Sequence, residues 1–249
     1  MTVAQGTTVL HVDALRLRRG PREVLRGVSL RVAAGEIVAL MGVSGAGKST
    51  ILRAAVALEA FHEGQITVGD ATLRPGPVPR ESQLRALRRQ VGMVFQQHAL
   101  FTHLSVRDNI TLAPIHAARV APEAAAREAM RLLELLGVAH RADAFPSQIS
   151  GGEAQRVAIA RALALDPPVL LMDEPTAALD PARRGALADS LRALAQAGRG
   201  LLVTTHDLAF AKDADRVVVL ADGNVVEEGP ARTVLEAPQH AATRALLED

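Results

Sequence analysis

Residues 37–50 read IVALMGVSGAGKST, and this stretch decides the fold. Its first five residues are apolar without alternation, the pattern of a strand buried on both faces. A turn carrying Gly42, Gly45 and Gly47 follows, and then a segment expected to be helical over residues 48–58. Residues 42–49 fit G-x-x-x-x-G-K-[ST], which on a strand–turn–helix frame is a phosphate cradle. The chemistry asks for these residue types. Glycine lets the main chain of Gly42, Val43, Ser44, Gly45, Ala46 and Gly47 wrap an anion with its N–H groups pointing inward. The helix N-terminus adds positive potential. Lys48 can reach β- and γ-phosphates, the Ser49 hydroxyl can ligate Mg²⁺, and Thr50 completes the segment. An ordinary glycine-rich turn is the competing reading, and the flanking strand and helix weigh against it.

Outward from this segment the chain alternates short apolar runs with longer amphipathic stretches, as βαβ units around a buried sheet do. Strands are expected at residues 64–68, 91–95, 169–172, 201–205 and 217–220, with a loop over the Pro- and Gly-rich residues 69–80. Pro122 and Gly137 bracket one helix, and a second is expected from about residue 152 to 165, stopped by Asp166-Pro167-Pro168. These two helices look like an inserted subdomain. Asp180-Pro181 opens another helix, Asp222-Gly223 signals a hairpin, and two short helices finish the chain. With 249 residues, one large α/β domain is expected.

Composition narrows the function classes. Hydrophobic residues make up 49% and charged residues 22%, and the formal net charge is +1, so no strong field draws in nucleic acid. There is no cysteine, hence no disulfide framework or thiolate metal site. The start has no secretory pattern, and no apolar run approaches the roughly 20 residues of a membrane span, so any link to a membrane is expected to go through a partner.

Residues 169–174 read VLLMDE, an apolar strand ending in two carboxylates. Asp173 is placed to hold a Mg²⁺ shell beside the cradle, and Glu174 to polarise a water for attack on a γ-phosphate. A strand that simply meets solvent is the alternative, weakened by the cradle upstream. His206 follows a second apolar strand and could donate to the γ-phosphate, although a lone histidine at a strand end is usually structural. The remaining histidines lack metal-ligand spacing. Ser150, Gly151, Gly152 and Glu153 open a helix whose free N–H groups and serine hydroxyl suit an anion, or merely cap it.

Taken together, the ordered set of cradle, Gln96, ISGGE, MDE, PTAALD and His206 resembles the nucleotide-binding domain of ATP-binding cassette proteins from end to end. The resemblance implies a P-loop NTPase with a RecA-like core sheet, an N-terminal antiparallel β subdomain and a helical subdomain inserted at about residues 98–165. It implies a head-to-tail dimer, homodimeric or paired with a related subunit, that sandwiches ATP and Mg²⁺ between one cradle and the Ser150-Gly151-Gly152 turn of its mate. Glu174 would be the catalytic base, with His206 and Gln96 at the γ-phosphate. Ser49, Gln96 and Asp173 would serve the metal, and Asp180 would lie in the loop crossing the interface. Residues 98–104 (HALFTHL), from His98 to Leu104, would face the membrane subunits, or else form a buried core segment.

Three departures from the family pattern stand out. The position of the usual adenine-stacking aromatic, before the first strand pair, falls by register on Arg19 or a near neighbour; a guanidinium can stack on a base, but Arg19 also sits in a basic stretch with Arg16, Arg18 and Arg22. The signature reads ISGGE, so Glu153 adds a negative charge near the phosphates. Ala177 stands where serine is common, removing one interface hydroxyl.

Finer resemblance is to ATPase subunits of bacterial polar-amino-acid importers, through EVLRGVSLRVAAGEIVALMGVSGAGKSTILR, GMVFQQHALFTHLSVRDNI, THDLAFAKDADRVVVL and DGNVVEEGPARTVL. It implies a peripheral subunit at the cytoplasmic face of the membrane, a separate permease and, indirectly, an extracytoplasmic solute-binding protein. About twenty residues follow Gly229, so no appended regulatory domain is expected. A cassette of lipoprotein release or cell division remains open as an alternative. A soluble cassette on DNA or ribosomes predicts a basic surface or two fused cassettes, and a small-molecule kinase does not explain ISGGE and Glu174.

Overall fold

A computed structural model describes residues 6–177, 179 and 181–248, without the side chains of residues 181 and 182. Strands β1 (Thr8–Arg19) and β2 (Arg22–Ala33) form a long antiparallel hairpin with alternating burial. Strand β3 (Ile37–Met41) leads into helix α1 (Lys48–Ala55). Then come β4 (Glu63–Val68), β5 (Ala71–Leu73), α2 (Glu81–Gln90) and β6 (Val91–Val94). The middle is helical: α3 (Val106–His116), α4 (Pro122–Leu135) and α5 (Gly151–Leu163). The chain closes with β7 (Val169–Asp173), α6 (Pro181–Gln196), β8 (Gly200–Thr204), α7 (Leu208–Asp213), β9 (Arg216–Ala221), β10 (Asn224–Pro230), α8 (Ala231–Glu236) and α9 (Ala241–Glu248).

Two sheets result. A four-stranded antiparallel sheet runs β2-β1-β4-β5, and a six-stranded sheet runs β10-β9-β3-β8-β7-β6. In the larger sheet β9, β3, β8, β7 and β6 are parallel, with β10 antiparallel at one edge. The period of two in its central strands divides the interior into two cores. Ile37, Ala39 and Met41 point into one core, with α4, α5 and α6. Val38 and Leu40 point into the other, with α1 and the antiparallel sheet. Leu170 and Met172 share the first core, and Val169 and Leu171 the second. Burial on both faces is why these strands read as unbroken apolar runs.

The expected elements are present, with shifted ends and three differences. Helix α1 stops at Ala55, not residue 58, because Ala57 turns left-handed (φ 53°) and the N–H groups of Ala57 and Leu58 bond back to the carbonyls of Ala54 and Arg53. Residues 69–80 are not loop throughout: Ala71–Leu73 pairs with β4, turned by Gly69 at φ 53°. Helices α2, α3 and α7, which the sequence reading leaves unnamed, are all formed. Helix α3 contains Pro114, a breaker by rule, but Val106, Ile110 and Pro114 are buried at a spacing of four residues. Its N-cap is Ser105, whose hydroxyl accepts from the Asp108 N–H at 3.1 Å.

Asn109 ties α3 to the preceding loop. Its side chain is 1% exposed, accepts from the Phe101 N–H at 2.8 Å, and donates to the carbonyls of Phe101, Leu104 and Ser105 at 3.1, 3.2 and 2.9 Å. Replacing it strands several main-chain groups at once. Asn109→Ala is expected to cost about 2–4 kcal/mol, read as a lowered midpoint in urea unfolding. A loss below about 1 kcal/mol would mean that water or neighbouring groups satisfy the loop.

Candidate functional site

Between the C-terminal end of β3 and α1, the segment 42–47 is trapped by sterics. A Cβ at Gly42 (φ 146°) would meet the Leu220 carbonyl oxygen at 2.2 Å, and one at Gly47 (φ 110°) would meet Leu25 Cδ2 at 2.6 Å. Both positions therefore require glycine, and the loop is wedged between β9 and β2. Helix α1 has no side-chain cap and no acidic residue in its first turn. Its N–H groups and dipole are left to an outside anion.

Lys48 closes this end of the site. Its side chain is 7% exposed, and Nζ donates to the Gly42 carbonyl at 2.5 Å. His206 Nε2 lies 3.1 Å from Nζ, and Glu174 Oε1 lies 4.0 Å away. Burial pushes the Lys48 pKa below the usual lysine value, opposed by the carboxylates of Glu174 and Asp173. An anion arriving at α1 would supply a closer charge partner than the Glu174 carboxylate at 4.0 Å.

The two carboxylates after β7 separate by backbone geometry. Asp173 Oδ1 accepts from the Ser49 hydroxyl at 3.0 Å and the Thr204 hydroxyl at 2.7 Å. Glu174 takes a left-handed conformation (φ 48°), and its N–H is shared between the Thr204 hydroxyl (2.9 Å) and carbonyl (3.2 Å). That turn sends its side chain into the cleft. Glu174 Oε1 is buried, lies 3.0 Å from His206 Nε2 off the line of a hydrogen bond, and has no hydrogen-bond partner among the described residues. A strained residue holding an unsatisfied carboxylate oxygen is unusual outside functional sites.

A cavity of about 800 Å³ opens over these groups. Ser44, Gly45, Gly47, Lys48, Ser49 and Thr50 line it, with Arg19, Gln96, Glu174, Ala177 and His206. Gly42, Val43 and Ala46 shape the loop but do not line that cavity, and Val43 is exposed on the outer side. Arg184, which the sequence reading does not single out, also lines it, donating to the Leu179 carbonyl at 2.9 Å and contacting Asp207 at 3.4 Å. No local pattern in the sequence announces that contact.

Arg19 is not before the first strand pair, as the sequence reading has it, but at the end of β1, beside the Gly20-Pro21 turn. Nor is it part of a merely solvated basic stretch, since Glu59 holds it through two hydrogen bonds.

Ser150 and Glu153 lie away from this cavity, at the N-terminus of α5. The Ser150 hydroxyl accepts from the Glu153 N–H at 3.3 Å and Glu153 Oε2 accepts from the Ser150 N–H at 2.7 Å, a reciprocal cap, and the hydroxyl also lies 2.9 Å from Oε2 as a donor. Glu153 Oε1 accepts from Arg141 Nε at 2.8 Å. Hydrogen bonds from Arg141 and from the Ser150 main chain hold its pKa at about 2. Within this chain the Glu153 carboxylate is buried and paired with Arg141, so its charge is offset from inside. Ser150 and Gly151 are exposed, and a Cβ at Gly151 would meet nothing. Asp180 lies outside the described residues.

Residues 98–104 form a surface loop, not a buried core segment. His98 and Ala99 are both left-handed (φ 56° and 49°), and Arg161 donates to their carbonyls at 2.8 and 2.6 Å. Phe101 is 44% exposed. Burial lowers the His98 pKa, opposed by a hydrogen bond with Gln155.

Known proteins place this geometry in context. The family described as "ABC transporter" matches residues 25–177. The chain is 42% identical over 229 residues to the glutamine transport ATP-binding protein GlnQ of Bacillus subtilis, covering 92% of this chain and 93% of that protein. It is 43% identical over 247 residues to the arginine transport ATP-binding protein ArgV of Corynebacterium glutamicum, covering 96% and 97%. Among solved structures, the dimeric ATP-binding cassette MJ0796, bound to ADP and Pi, matches with a TM-score of 0.80 and 32% identity over 90% of this chain and 99% of that one. A family match that spans most of the chain, relatives above 40% identity along nearly its whole length, and a wedged phosphate loop facing Glu174 and His206 converge: this chain belongs to the ABC transporter family.

Proposed function

We propose that this chain is the ATP-hydrolysing subunit that powers uptake of polar amino acids through a separate membrane permease. The observation that carries the chemistry is the meeting of Lys48, Glu174 and His206 within 4.0 Å at the uncapped end of α1. The transport reading is supported by the names of the relatives, glutamine and arginine transport ATP-binding proteins.

ATP lays its phosphates on the α1 N–H groups, and Lys48 exchanges the Gly42 carbonyl for β- and γ-phosphate oxygens. Ser49 and Asp173 offer a hydroxyl and a carboxylate oxygen to Mg²⁺, a donor set that suits a hard cation otherwise ligated by phosphates and water; Gln96, exposed on the cavity wall, is the further candidate. Mg²⁺, when bound, neutralises charge developing on the phosphate oxygens. Glu174 takes a proton from the attacking water as its oxygen bonds to the γ-phosphorus and the bond to the β–γ bridging oxygen breaks, releasing ADP. His206 orients the γ-phosphate.

The γ-phosphate side of the cavity would be completed by a second subunit. A head-to-tail partner, a second copy or a related subunit, would bring Ser150, Gly151 and Gly152 to that side, with Asp180 in the loop between. The dimeric state of MJ0796 supports an assembly of two such subunits. Among the described residues no helix is long and apolar enough to cross a membrane. The permease would seat against residues 98–104, where Phe101 is exposed, at the cytoplasmic face, with an extracytoplasmic solute-binding protein delivering the amino acid and no nucleic acid involved.

Lys48→Ala is expected to weaken ATP binding by about 2–3 kcal/mol, roughly 30- to 140-fold in Kd by calorimetry, because the one buried ammonium facing the phosphates is gone. Unchanged affinity would remove the cradle assignment. Glu174→Gln is expected to bind ATP normally, lose about 10²–10⁴ in kcat, and elute as a dimer in ATP during gel filtration. Wild-type turnover in that variant would mean that another group is the base.

A further inference from the structure

His206 faces the phosphate cavity with little of its own to hold it there. Its Nε2 lies 3.1 Å from Lys48 Nζ and 3.0 Å from Glu174 Oε1, and no described residue hydrogen-bonds its Nδ1. The second ring nitrogen is what usually fixes the orientation of a working imidazole. The His206 side chain is 49% exposed, so packing does not fix it either. Its position is therefore set by the main chain that carries it, the short turn between β8 and α7.

That turn is anchored at the next residue. The Asp207 N–H donates to the Thr205 hydroxyl at 2.9 Å, and Asp207 Oδ1 caps α7 by accepting from the Ala209 and Phe210 N–H groups at 2.9 and 3.2 Å. These bonds are local: they fix the turn against its own helix, not against the rest of the cavity. Asp207 Oδ2 takes no part in the cap, and it faces Arg184 Nη1 at 3.4 Å. Arg184 Nε donates to a second acceptor, the Leu179 carbonyl, at 2.9 Å. One guanidinium on α6 thus spans the segment before its own helix and the turn before α7.

Leu179 is a fixed point for such a strut. It is 5% exposed and packs in the core that contains α5 and α6. Gly152 lies against it, since a Cβ there would come 3.3 Å from Leu179 Cδ2. A purely stabilising ion pair is the competing account. The Arg184 side chain is 43% exposed, and an exposed pair at 3.4 Å adds little to folding. What a planar fork with two acceptors supplies is geometry. Arg184 also lines the same cavity as His206 and Glu174.

We propose that Arg184 is a positioning residue for hydrolysis, acting through Asp207 to hold His206 against the γ-phosphate. The proposal rests on the reading of this cavity as the site of ATP hydrolysis. ATP carries the phosphate that His206 meets and ADP does not, so losing the strut is expected to tell with ATP alone.

The test is calorimetric binding of ATP and ADP, with Mg²⁺, to full-length chains carrying Glu174→Gln, which keeps ATP intact, alongside kcat of the same variants with Glu174 restored. Arg184→Ala is expected to weaken ATP about fivefold, leave ADP within about twofold, and lower kcat about tenfold. Its thermal midpoint is expected within about 3 °C of wild type. Asp207→Asn keeps an oxygen for the α7 cap and loses the charge facing Arg184, and is expected to give the same split. In a His206→Ala background, adding Arg184→Ala is expected to change neither ATP affinity nor kcat further, because no ring remains to be held. Should Arg184→Ala not fold, Asp207→Asn asks the same question. An equal loss with ATP and ADP, unaltered ATP affinity and turnover in Arg184→Ala, or the full loss repeated in the His206→Ala background would overturn the proposal. Failure of the wild-type chain to bind either nucleotide would strike the reading of the cavity instead.

Discussion

A buried ammonium group with no full counter-charge is the constraint around which this structure is organised. Lys48 Nζ is withdrawn from water, donates to the Gly42 and Val43 carbonyls at 2.5 and 3.4 Å, and faces a carboxylate at 4.0 Å. Burial disfavours its charge, and an incoming polyphosphate restores it. The surroundings are arranged to keep that cation in place. Gly42 and Gly47 let β9 and β2 press against the loop where a side chain would collide. The parallel strands β3, β7 and β8 deliver the loop, the two carboxylates and His206 to the same edge of the sheet.

Two helix N-termini in the chain have opposite fates. At α1 no side chain caps the free N–H groups, so they remain available to a ligand. At α5 the Ser150–Glu153 pair caps the helix internally, and Arg141 removes the residual carboxylate charge. The first is a binding site by omission. The second is a stable presentation of small residues, with Ser150 and Gly151 exposed, which suits a surface that completes another subunit's site. Ser150 would have to exchange its bond to Glu153 for a phosphate oxygen, and the cap's main-chain bond to Glu153 can outlast that exchange.

Strain and incomplete satisfaction gather at Glu174. A left-handed glutamate with a buried oxygen that no described residue hydrogen-bonds would be a defect in a purely structural position. The turn is held by Thr204 through two hydrogen bonds to the Glu174 N–H, and Thr204 also fixes Asp173. One threonine on β8 therefore sets both carboxylates. At the other end of the cavity, Glu59 does for Arg19 what Thr204 does for the acids: a residue outside the obvious motifs sets the orientation of one that could be found in the sequence.

What the sequence by itself determined is whatever depends on short-range pattern. The apolar run of residues 37–41, the glycine spacing of residues 42–47, the MDE strand end and the Pro122–Gly137 bracket are local, because strand burial, loop geometry and helix capping are set within a few residues. Those signals gave the α/β architecture, the cradle and the two carboxylates, whereas Gln96 and Arg19 entered only through the family resemblance. Tertiary structure decided the rest. Helix α3 forms despite Pro114 because burial of Val106 and Ile110 and the bonds of Asn109 outweigh the missing N–H. The Arg19–Glu59 pair joins residues 40 apart, Ser49 meets Asp173 across 124, and Lys48 meets His206 across 158. Glu153 is paired with Arg141, 12 residues away in the chain, and with the cap at Ser150. No short window along the chain contains the longer pairings, because the contacts and the desolvation that shifts Lys48 exist only once distant segments have been packed against one another.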